Sequence, residues 1–486
     1  MQTIHPSTLQ KWLPWAFLLI NFVLKFFFIA ENSLANDEPF SVYHAHMSPT
    51  QIVHYLKLGN NPPLYELLLH YWIQIFGDSL FSVRFPSYLL SAATVYFVFR
   101  LGSYFFSLRV ATMASVLYSF SNYQMIYAHE ARVYAMFGFL TVFSMFLYLR
   151  LFAHDKKFKA YIALLVVNTI LLYSHYFGFF VIAIQTIFIL FSGRDDKNRP
   201  GMRYGIYLIL LFLAYLPNLW LVFTRFYVSS TEGTWLSKPN GLHALYQLLW
   251  KFSNQPLPTV VCIVIIIAGS ARLIGKKEFS AKNLANRFVF FWFFLPLVLV
   301  FSVSFYVPMF LDRYMIFISV AYYLLVAVCT DELAKVHRWR VLLFLLPCIL
   351  FMGTYRLYVH NEKPMYEIVG TIDNLKTDAT EVFISPTEPS YAFLYVYRRD
   401  LFREIDADDP HKHTFDLLRN QHIYPVYPSS KVWPTSDHVL YWNANGKMQK
   451  GEDKILTQLS SSYPYEKIYD CSDGFSVHSY SKKPLQ

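Results

Sequence analysis

Long apolar windows, interrupted by short polar or basic stretches, occupy the first three-quarters of the chain. A helix that crosses a bilayer needs roughly 20 predominantly apolar residues. On that criterion the pattern predicts about eleven spanning helices, at about 12–30, 86–106, 109–127, 132–152, 159–175, 177–192, 204–224, 257–274, 288–307, 314–330 and 340–358. The run Leu64–Phe76 is shorter and carries Glu66, His70 and Gln74, so it is expected to lie along the interface rather than across the membrane. The apolar run Trp12–Ala30 is longer than a signal-peptide core and lacks a small-residue exit, and it is read as a retained first helix.

Beyond Tyr358 the pattern changes. Charged residues return, and short β-rich runs (Glu381–Ser385, Ala392–Tyr397, His438–Trp442 and Phe475–Tyr480) alternate with helix-compatible stretches around Tyr366–Leu375 and Thr414–Asn420. The expected architecture is an α-helical multi-pass membrane domain over residues 1–358, including an outer loop 31–84, followed by a soluble α/β domain over 359–486. About 125 residues suffice to bury a core of their own.

Composition agrees with the pattern. Of 486 residues, 55% are hydrophobic and only 15% charged, against roughly one-quarter charged in a soluble domain. The net charge of +10 is accounted for by loop topology rather than by nucleic acid. Lys156, Lys157 and Lys159 form one basic group; Arg194, Lys197, Arg199 and Arg203 a second; Lys276, Lys277, Lys282 and Arg287 a third; Lys335, Arg338 and Arg340 a fourth. All four fall on one side of the predicted helices, which the positive-inside rule makes cytoplasmic. The loop Glu31–Arg84, the loop Arg225–Pro256 and everything after Tyr358 then face the periplasm or exterior. Cys262, Cys329 and Cys348 lie in apolar runs and Cys471 stands alone, so neither a disulfide framework nor a paired-cysteine zinc site is expected.

The remaining polar residues collect at the outer helix ends: Asp37 and Glu38, Arg84, His129-Glu130-Ala131-Arg132, His175, and Asp312-Arg313. Transporters instead place ionisable groups near the midplane. Here Lys25 is the main internal charge, and its stem could reach an interface by snorkelling. A rim of acids, arginines and histidines on one side suits chemistry at the membrane surface. Any one of these residues alone reads as readily as a helix-end anchor or solvated cap; it is their shared side that favours function.

These residues resemble the GT-C lipid-linked-sugar transferases, the group of protein O-mannosyltransferases and of the bacterial aminoarabinose transferase acting on lipid A. The similarity rests on Asp37-Glu38 after the first helix, Asn61-Pro-Pro-Leu-Tyr65, Gly77 with Arg84-Phe-Pro-Ser87, Tyr127-Ala-His-Glu-Ala-Arg-Val-Tyr134, Ser174-His-Tyr-Phe-Gly178 and Arg313-Tyr314. It is strongest before about residue 180, and the C-terminal domain matches in position only.

The resemblance implies a polyprenyl-phosphate sugar donor, a lipid, protein or glycan acceptor hydroxyl, and inversion at the anomeric carbon, in a bacterial inner membrane with the site facing the periplasm. The chemistry needs a carboxylate to take the acceptor proton and cations to hold the departing phosphate. Asp37 is the expected base, with Glu38 and Glu130 as further acids. Arg132 and Arg313 are the expected phosphate ligands, with Arg84 and Lys57 behind them. Asn61, Tyr65, His129, His175 and Tyr176 are expected around the substrate. A divalent cation on Asp37, Glu38, Glu130, His129 or His175 is left open, since no spacing marks a dedicated site. Aminoarabinose, mannose, galactose and arabinose all fit as the sugar. A flippase or transporter of lipid-linked sugars is the alternative reading.

Overall fold

The computed structural model describes residues 8–34, 37–57, 61–153, 158–192, 201–231, 236–274, 281–335, 340–358, 363–406, 408–446 and 453–484. In chain order the helices are α1 Thr8–Phe26, α2 Glu38–Ala45, α3 Pro49–Leu56, α4 Leu64–Phe76, α5 Leu80–Phe105, α6 Leu108–Ser119, α7 Asn122–Ala128 and α8 Val133–Ala153. They continue as α9 Phe158–Ser174, α10 Gly178–Ser192, α11 Gly201–Thr231, α12 Gly241–Ser253, α13 Pro256–Ile274, α14 Ala281–Val303, α15 Ile316–Ala334 and α16 Arg340–Thr354. Helix therefore occupies every predicted membrane window. Among the described residues five stretches are long and apolar enough to cross a membrane by themselves: Val133–Leu151, Met202–Arg225, Pro256–Leu273, Leu284–Val303 and Asp312–Ala334. Of the basic positions used for orientation, Lys156, Lys157, Arg194, Lys197, Arg199, Lys276, Lys277 and Arg338 lie outside the described residues, as does Asn36 beside the acid pair.

By their contacts the residues fall into two compact units, and the division differs from the cut at residue 358. Residues 29–52 and 66–83 group with 360–486, whereas 1–28, 53–65 and 84–359 form the helical unit. Most of the outer loop thus belongs with the C-terminal residues.

At the centre of the helical unit is α15, buried along its whole length, as expected of a helix that is apolar all round. It packs against α6, α8, α13, α14 and α16. Its crossing with α13 is close because Gly269 lacks a side chain. A Cβ there would stand 2.7 Å from the Cys329 Cα, a small-residue contact of the kind that lets membrane helices approach.

The window predicted at 109–127 is not one helix. It breaks at Phe120-Ser121, and Asn254 accounts for the break: its side-chain amide donates to the Phe120 carbonyl at 2.8 Å, and its oxygen accepts from the Asn122 N–H at 2.8 Å. Ser121 caps the new helix by accepting from the Gln124 N–H, so the backbone groups exposed by the break are satisfied. Lys25 also departs from expectation. It does not snorkel but is fully buried, donating to Ser91 Oγ at 2.8 Å with its ammonium 4.5 Å from the Tyr118 ring centre. Tyr118 and Ser91 also bond each other, so an uncharged side chain of similar length can replace the lysine without orphaning them. Lys25→Met is expected to change folding stability by no more than about 1 kcal/mol, checked by thermal unfolding in detergent.

The second unit carries a five-stranded mixed sheet, β1 Thr380–Ser385, β2 Ile423–Pro425, β3 His438–Asn443, β4 Tyr465–Asp470 and β5 Ser476–Ser481. The strand order is β2-β1-β3-β5-β4, parallel from β2 to β3 and antiparallel through β5 and β4. One of its cores gathers Phe383, Val439, Tyr441, Leu459 and Tyr480. The run Ala392–Tyr397, expected as strand, belongs to a helix, Ser390–Tyr397. It is almost continuously apolar and Ala392–Tyr395 are buried, so period cannot separate strand from helix.

Candidate active site

In the helical unit, the turn between α7 and α8 gathers much of the expected chemistry. His129 caps α7, and the Arg132 N–H bonds the Glu130 carbonyl at 2.7 Å. The turn is tied down at two points. His129 donates from Nε2 to the Lys25 carbonyl at 2.6 Å, and the Arg132 carbonyl accepts from Ser87 Oγ at 3.2 Å. Ser87 also bonds the Tyr65 hydroxyl at 2.8 Å, so buried Tyr65 and Arg132 belong to one hydrogen-bonded chain. Burial pushes the His129 imidazole down to about 4, with the charges of Arg84 and Lys25 adding to the effect and the bond to the Lys25 carbonyl opposing it. His129 is therefore neutral at ordinary pH.

Arg132 is joined by Arg313, whose short 3₁₀ turn Asp312–Met315 leads into α15. Their guanidinium carbons lie 5.9 and 6.0 Å from the centre of one ring, Tyr134. Asp312 is held by the Lys251 ammonium at 2.5 Å and the Tyr127 hydroxyl at 3.4 Å. His175 stacks on Phe137 at 4.5 Å and contacts Tyr314 edge-on. Its Nδ1 accepts the Phe177 N–H at 3.0 Å. The neutral ring thus carries its proton on Nε2, and this buried donor has no hydrogen-bond partner among the described residues.

The acid pair belongs to the second unit. Asp37 occupies the N-cap position of α2 without a side-chain capping bond and is half-buried; Glu38, the first residue of the helix, is buried. The helix is firmly seated. Ser41 donates to Glu66 Oε1 at 2.6 Å, His70 donates to the Ala45 carbonyl at 2.9 Å, and Tyr43 packs on Tyr391 and Phe402. The polar residues of the Leu64–Phe76 segment are therefore used internally, His70 also accepting from Gln74.

Nearby, Asp78 is buried and receives both arms of the Arg403 guanidinium at 2.6 and 2.8 Å, with His46 at 3.4 Å. Burial alone would raise its pKa. The hydrogen bonds from His46 and Arg403, and then the guanidinium charge, outweigh that and hold the carboxyl well below the usual carboxylate range. A lowered folded pKa means that the pair stabilises the fold above about pH 4 and that this stability is lost as pH falls further. Arg403→Ala is expected to cost about 1–2 kcal/mol, limited because half of the arginine is in water. It should also flatten the acid limb of the unfolding profile, read as thermal midpoint against pH.

Of the other expected site residues, Arg84 is buried in α5, while Lys57, Asn61 and Tyr176 are half-buried. The described contacts do not join Lys57, Asn61 or Tyr176 to the Arg132–Arg313 cluster. Among the described residues no group of three metal-ligating side chains comes together. Tyr134, Lys251 and Asn254 were absent from the expected set. Tyr134 had a signal, since it closes the motif that begins at Tyr127; the other two become visible only when distant helices meet.

Residues 60–220 match the family of dolichyl-phosphate-mannose-protein mannosyltransferases. Comparison with curated protein sequences gives no significant match. Among solved structures, ArnT from Cupriavidus metallidurans in the apo state is similar at TM-score 0.61 and 12% identity, over 99% of this chain and 100% of that one. The same protein bound to undecaprenyl phosphate gives 0.59 and 11%, over 96% and 98%. The archaeal oligosaccharyltransferase AglB from Archaeoglobus fulgidus, in complex with an inhibitory peptide and a dolichol-phosphate, gives 0.56 and 11%, over 99% of this chain and 76% of that one. The chain therefore has the GT-C fold, with a sequence match to the dolichyl-phosphate-mannose-protein mannosyltransferase family across residues 60–220.

Proposed function

We propose that this protein is an integral-membrane glycosyltransferase that moves a sugar from a polyprenyl phosphate to an acceptor hydroxyl on the outer face, with inversion. The observation that carries this reading is the pair of guanidiniums, Arg132 and Arg313, set about one ring beside the neutral donor His175. Guanidinium forks match phosphate oxygens, and a proton on a neutral imidazole adds a hydrogen bond without adding charge. As the sugar leaves, negative charge grows on the phosphate, and these groups stabilise it. Asp37 takes the acceptor proton and Glu38 tunes it, while Glu130 positions the acceptor or orients Arg132. The similarity to ArnT bound to undecaprenyl phosphate supports a lipid-phosphate donor.

Mass spectrometry of envelope lipids and glycans, with and without the gene, tests this reading. The expected result is one sugar-bearing product that disappears when the gene is removed. If instead the purified protein carries labelled lipid-linked sugar across vesicles and forms no glycosylated product, it is a flippase.

A further inference from the structure

On the helical unit, away from the Arg132 cluster, α9 and α11 enclose a cavity of about 440 Å³. Its floor is formed by Tyr161 and Tyr207, both buried. The Tyr207 hydroxyl accepts from Asn168 Nδ2 at 2.5 Å, and Asn168 is bonded in turn to Gln185 and Ser144. This buried network fixes the floor, so the groove exists before anything enters it. The walls are apolar and open outward: Ile162, Ile206 and Leu210 are exposed by 42%, 48% and 44%. One cation, Arg203, lines the groove. It stands at the first turn of the apolar stretch Met202–Arg225, where hydrocarbon gives way to headgroups.

We propose that this groove is a binding site for an anionic membrane phospholipid. One acyl chain lies along Ile162, Leu165, Ile206 and Leu210 for about one helical turn, and the headgroup phosphate is held by Arg203. An outward-opening apolar groove in a spanning segment is filled by lipid tails. The cation at its mouth selects among headgroups, as basic pockets between membrane helices do. That cation favours a lipid with net negative charge over a zwitterionic one, by about fivefold.

The test is native mass spectrometry of the full chain in detergent, titrated with phosphatidylglycerol or phosphatidylcholine. Phosphatidylglycerol should bind at least about fivefold more tightly. Arg203→Ala should remove that preference, and Leu165→Trp, which fills the groove, should weaken both lipids. Ile206→Asn on the open wall provides a second variant if the tryptophan prevents folding. Unchanged binding in Arg203→Ala together with either groove variant overturns the proposal. So does displacement of phosphatidylglycerol by undecaprenyl phosphate at equal or lower concentration, which would give the groove to the sugar-donor lipid.

Discussion

Asp37→Asn is expected to lower sugar transfer by about 10²–10⁴-fold, the usual contribution of a positioned general base, while polyprenyl-phosphate binding stays near the wild-type value. The substitution isolates the charge. Asparagine has nearly the same shape, and the Asp37 side chain makes no capping bond to α2, so α2 retains its start. The helix is also anchored independently of that side chain, by Ser41 on Glu66, by His70 on the Ala45 carbonyl and by Tyr43 against Tyr391 and Phe402. Loss of activity in a folded variant would therefore report on proton transfer. Single-turnover assays with labelled donor would make the measurement, with Glu38→Gln in parallel. Undiminished turnover in Asp37→Asn would remove it as the base, and a larger loss in Glu38→Gln would move that role to its neighbour.

The second large effect is expected at the arginine pair. Arg132→Ala and Arg313→Ala should each reduce transfer by about 10²–10³-fold, the range seen when one preorganised stabiliser of transition-state charge is removed. Both should also weaken polyprenyl-phosphate binding, measured by titration of the purified protein. Because the two guanidiniums share the Tyr134 ring, the double variant should lose less than the product of the single losses. Lysine at either position should recover part of the binding, since charge remains while the planar fork does not. Tyr134→Phe keeps the ring face and should leave binding nearly intact, whereas Tyr134→Leu should not. Full donor binding in the double alanine variant would place the phosphate elsewhere.

The helical architecture was readable because a bilayer imposes a simple rule. Backbone polar groups must be satisfied within the segment, so spanning residues become long apolar helices that composition alone reveals. The break at Phe120-Ser121 escaped that reading because the groups that permit it come from Asn254, more than a hundred positions away. Lys25 was misread for a related reason. A buried lysine and a snorkelling one look alike in sequence, and only the arrival of Ser91 and Tyr118 distinguishes them. The run Ala392–Tyr397 failed differently, since an element buried on nearly every side carries no period.

Sequence by itself determined which residues are apolar in helix-length windows, where the polar C-terminal residues begin, and which acids, arginines and histidines accompany the helix ends. These are local properties, set by side-chain solvation and backbone hydrogen bonding. Tertiary structure alone decided that Arg132 and Arg313 share one ring, that Tyr65 and Ser87 hold the Arg132 backbone, and that His175 is a neutral donor. It also decided that residues 29–52 and 66–83 group with the C-terminal unit. Those outcomes depend on contacts between distant segments, because hydrogen-bond partners and burial are fixed only when the helices pack.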